Sequence, residues 1–144
     1  MDLNIKELEK QIEMYQKKVK KLNEENREIN KNIDKCNDAY NQVSKKIENT
    51  ESVYNKRLSE IKSVMSKLPL GSIFGDSYYN KLKNILFGKN TDNALADLRN
   101  TQKEIKRKLD NFDEQIINNN NKISVYNSKI NDLKIMISRY EEGA

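Results

Sequence analysis

The sequence predicts an all-α protein: a long antiparallel helical hairpin of coiled-coil character, with a short helical tip between its two helices. Three observations lead there. Apolar residues recur at alternating steps of three and four along two long stretches, the repeat of a helix that packs along its whole length. Only 35% of the 144 residues are hydrophobic and 34% are charged, which suits elongated helices with one narrow apolar stripe each better than a rounded core. Turn chemistry is concentrated in one place: the single proline and three of the four glycines fall between residues 69 and 90.

The first stripe runs Ile5, Leu8, Ile12, Tyr15, Val19, Leu22, Asn26, Ile29, Ile33, Cys36, Tyr40, Val43 and Ile47, with Thr50 and Tyr54 continuing it. Leu58 follows Tyr54 by a second step of four, and Ile61, Met65 and Leu68 resume the alternation. The extra residue gives a local 11-residue spacing, which relaxes a left-handed supercoil and predicts a straighter stretch over 50–58. Pro69 stops the helix, because its ring clashes with the preceding turn and it has no N–H to donate. A helix over 3–68 would extend about 100 Å.

The second stripe reads Leu95, Leu98, Gln102, Ile105, Leu109, Phe112, Ile116, Asn119, Ile123, Tyr126, Ile130, Leu133, Ile137 and Tyr140. It predicts a helix over 92–140, with Thr91 or Asp92 capping its first turn. The asparagine run 118–121 has loop composition, but the apolar register is in phase on both sides, so it is read as a locally soft part of the helix. Gly143 marks the end.

Between the helices, residues 69–90 form one predicted tip. It carries Ile73, Phe74, Tyr78, Tyr79, Leu82 and Phe87, with Gly75 among them. Asp76 or Ser77 would cap a short helix over 77–87, and Gly88 would stop it. These side chains either close the open end of the hairpin or, being largely aromatic, form a binding hot spot.

Neither stripe is stable alone in water, so each needs a partner face, and the other helix is the simplest one. If Leu68 lies beside Leu95, Tyr140 falls beside Asn23, and residues 1–22 have nothing opposite them. Leu3, Ile5, Leu8, Ile12, Tyr15 and Val19 would then form an exposed apolar stripe, which marks an interaction surface. The expected occupant is another helical protein or a second copy of this chain. The polar members Asn26, Thr50, Gln102 and Asn119 either tolerate partial exposure or fix register. At the spacing just assumed none faces another, which favours the first reading.

The residue inventory argues against catalysis. There is no histidine, hence no ordinary general base near neutral pH. Cys36 is the single cysteine, which offers neither a zinc site nor a Cys–His pair and reads as a small buried hydrophobe. No phosphate-cradling or nucleophile-elbow motif occurs, so no enzyme, cofactor or small-molecule substrate is expected. The net charge of +5 comes from 27 basic and 22 acidic residues mixed along the helices, a solvated surface rather than a clustered nucleic-acid footprint. No segment reads as a signal peptide or a membrane span, so cytosolic synthesis is expected, with export inside a complex left open.

Two long helices reversing at Ile73, Phe74 and Gly75, followed by a short helical segment, resemble the WXG-type helical hairpins of type VII secretion in Gram-positive bacteria. The longer members, encoded beside LXG toxins, are the more similar in length. The family turn carries Trp-x-Gly, where this chain has Phe74 and Gly75. The resemblance implies a chaperone or targeting partner that pairs with the helical N-terminal region of a toxin and presents it to the secretion machinery. A self-associating coiled-coil spacer or tether is the alternative.

Overall fold

The computed structural model describes the backbone of residues 2–66 and 71–143; the side chains of residues 2, 3, 64, 65, 71–79, 82, 83 and 85–90 lie outside the described set. Among the described residues there are two helices, α1 over Asp2–Ser66 and α2 over Gly71–Glu142. The arrangement is the all-α helical hairpin that the two stripes predict. The last turn of α2 is closed by the Gly143 N–H, which donates to the Arg139 carbonyl at 2.9 Å.

The chain forms two compact units, one built from Met1–Lys35 with Lys108–Ala144 and the other from Cys36–Arg107. In each, a stretch of α1 packs antiparallel against a stretch of α2. In the first unit Tyr15 meets Tyr126 and Asn26 meets Asn119. In the second, Ser44 meets Gln102 and Glu51 meets Arg99.

Burial follows the predicted periodicity residue by residue. From Ile5 to Ile61 every stripe position of α1 is buried or half-buried, as is every one from Leu95 to Tyr140 in α2. Lysines and asparagines between them are exposed, as are the glutamates except Glu51, which is half-buried. The extra residue after Tyr54 keeps Leu58 and Ile61 on the inner face. The asparagine run is helical throughout.

Two expectations are corrected. First, α2 begins at Gly71, not at Thr91 or Asp92, so the predicted short helix 77–87 and the helix from 92 are parts of one element. A mid-helix glycine costs only about 1 kcal/mol. Breaking the helix at Gly88 would create two further ends, each with up to four unpaired backbone groups, so continuing through it is cheaper. Second, the helices pair in a different register. Asn26, expected beside the far end of α2, lies against Asn119 and Asn120, a displacement of about five helical turns. In that register residues 123–140 run alongside 5–22, and the amino-terminal stripe is covered by its own chain.

Candidate interaction surface

The residues expected to bind a partner through the first helix are Leu3, Ile5, Leu8, Ile12, Tyr15 and Val19. Leu3 lies outside the described side chains. Ile12 is buried at 9% exposure, and Ile5, Leu8, Tyr15 and Val19 are half-buried. The premise that nothing opposes them therefore fails. They form an intramolecular seam because α2, starting twenty residues earlier than expected, has enough turns to reach them.

That seam holds an aromatic and cationic cluster. The Tyr15 and Tyr126 rings stack with centroids 5.6 Å apart at 29°. The Lys18 ammonium lies 5.8 Å and 5.4 Å from the two centroids, and Lys129 lies 5.4 Å from that of Tyr15. The negative faces of the rings attract both cations.

The polar stripe members are also brought together. Asn119, buried at 9% exposure, donates from Nδ2 to Asn26 Oδ1 at 3.0 Å. Asn26 Nδ2 in turn donates to Asn120 Oδ1 at 3.0 Å. In the second unit Gln102 Nε2 donates to Ser44 Oγ at 2.9 Å. Thr50 bonds within its own helix, donating to the Lys46 carbonyl at 2.7 Å. The reading that these residues merely tolerate exposure is thus replaced for Asn26, Asn119 and Gln102. A usable signal was present in the sequence: placing Asn26 opposite Asn119 satisfies two inward-facing amides at once and yields this register.

A second apolar feature was missed because it lies off the stripes. Within the first unit α2 exposes Ile117 at 59%, Val125, Ile135 and Met136, whereas among the described residues of the facing stretch of α1 only Met14 is an exposed large apolar side chain. Ile117 and Ile135 are eighteen residues apart and Val125 and Met136 eleven, close to whole numbers of turns. They form two adjacent rows, clear of the seam. α2 is therefore apolar on two sides here: one line buries against α1 and the other meets solvent.

The tip residues Ile73, Phe74, Gly75, Tyr78, Tyr79, Leu82 and Phe87 belong to α2 by backbone, and their side chains fall outside the described residues. Cys36 occupies its stripe position half-buried. Among the described residues no group of three or more His, Cys, Asp or Glu could hold a metal ion. Among them, too, no helix is long and apolar enough to cross a membrane. Compared with protein families, with characterised proteins and with solved structures, the chain gives no match.

Proposed function

We propose that this chain is a non-enzymatic protein-binding module whose outer α2 face, around Ile117, Val125, Ile135 and Met136, takes a helix of another protein. The carrying observation is the exposure of this second apolar line on one arm of a unit whose inner seam is already occupied. A hairpin that only needed to fold would gain nothing from these side chains. Four large apolar residues in two rows, each pair spaced by near-whole turns, offer a further helix ridges to pack against. The occupant that the sequence resemblance implies is the helical N-terminal region of an LXG-type toxin, held folded and targeted for export by this chain; Ile73, Phe74 and Gly75, which carried that resemblance as a turn, lie inside α2.

The test is co-expression with the product of the neighbouring gene. Co-purification in a defined ratio, lost in Ile117→Asp/Val125→Asp but kept in Leu8→Ala, supports the reading. A complex indifferent to the outer-face change removes the surface from consideration.

A second reading, a self-associating spacer, draws support from the thinness of the core. Only Ile12, Ile61 and Ile130 are buried apolar residues among those described. A second copy packed over the half-buried stripes would complete a four-helix arrangement. Sedimentation equilibrium of the isolated chain separates the two, since the toxin-partner reading expects a monomer that dimerises only with its partner.

A further inference from the structure

We propose that the paired amides of Asn26 and Asn119 are the register lock of the hairpin, selecting one alignment of α1 and α2 from several that the apolar stripes would accept equally.

The stripes alone do not choose. Both repeat at steps of three and four, so sliding α2 by one heptad brings apolar positions opposite apolar positions again. What such a slip changes is the surroundings of the polar members. In the observed register Asn26 both accepts from Asn119 and donates to Asn120. A slip of seven residues either way would set Asn26 against Phe112 or Tyr126, and Asn119 against Val19 or Ile33. Phe112, Val19 and Ile33 carry no hydrogen-bonding side-chain group, and Tyr126 offers one hydroxyl in place of the two amide partners that Asn26 has in the observed register. Asn119 is the sole buried polar residue among those described, so its hydrogen bond has no ready substitute in water. One slip therefore removes the partners of two inward-facing amides together. This is the attested use of a lone asparagine in a helical seam: to specify alignment at some cost in stability.

The proposal is tested by distance. Nitroxides placed at Lys6→Cys and Lys108→Cys, both exposed, in a Cys36→Ala background lie far apart along the axis. A seven-residue slip then changes their separation by about 10 Å. Double electron–electron resonance on spin-diluted protein should give one distance with both asparagines present. In Asn26→Leu/Asn119→Leu, a second population displaced by about 10 Å is expected, while circular dichroism shows helicity kept. The smaller Asn26→Ala/Asn119→Ala pair, read the same way, covers the case in which the leucine variant assembles further. An unshifted single distance in both variants would overturn the proposal and assign the register to the turn alone.

Discussion

The side-chain amide of Asn26 is bonded on both sides, accepting a hydrogen bond from Asn119 Nδ2 and donating one to Asn120 Oδ1, each at 3.0 Å. A single substitution at residue 26 therefore strands the buried amide of Asn119. Asn26→Ala should lower stability by about 1–3 kcal/mol in urea unfolding. Asn26→Leu/Asn119→Leu should be less destabilised than the sum of its single variants, since neither amide is left alone. Additive effects in that double-mutant cycle would show the pair to be uncoupled.

The Tyr15–Tyr126 stack couples the two arms of the first unit through a ring contact instead of a hydrogen bond. A cycle over Tyr15→Ala and Tyr126→Ala should give a coupling of about 0.5–1.5 kcal/mol beyond area burial. Lys18→Met keeps the stem and deletes the charge, and should cost about 0.5–1 kcal/mol in thermal unfolding. A null effect would mean the ammonium is fully hydrated.

Gly88 discriminates between a helix end and a helix interior. Because α2 runs through it, Gly88→Ala should raise stability by about 0.5–1 kcal/mol. Had Gly88 stopped a separate tip helix in the left-handed conformation, the same change would destabilise. The sign of the shift in the melting temperature decides.

Glu51 and Arg99 bridge the arms of the second unit, with both side chains about half exposed. The pair exchanges strong hydration for a screened attraction, so Arg99→Ala should cost less than about 1 kcal/mol, shrinking further in high salt. A cost above that range, insensitive to salt, would point to a packing role for the guanidinium stem.

Ile12 and Ile117 separate folding from binding. Ile12 is buried in the seam, and Ile12→Ala should destabilise the isolated chain by about 2 kcal/mol or more. Ile117 is 59% exposed, so Ile117→Asp should leave the melting curve within about 0.5 kcal/mol of the parent while abolishing partner capture. If Ile117→Asp unfolds the protein, the outer face is structural.

The helices and their inner faces were legible in the amino-acid order. From Ile5 onward, each described position named in the two stripes faces inward, because a helix turns by a fixed angle per residue and only one face of each arm is continuously apolar. Periodicity of that kind determines which side of a helix is buried, and the polar residues between determine which side is wet. It does not determine how far one helix is slid along the other. A displacement of eighteen residues is five whole turns, so the same faces still meet, and the pattern of stripe residues is unchanged. That degeneracy produced the expected but absent gap opposite residues 1–22. Only the tertiary structure decided the alignment, through side chains that are not interchangeable under a slip: Asn26 with Asn119, Ser44 with Gln102, Glu51 with Arg99. The continuation of α2 through Gly88 was likewise not legible in the pattern, since unbroken backbone hydrogen bonds outweigh the modest local preference of a glycine for a helix end.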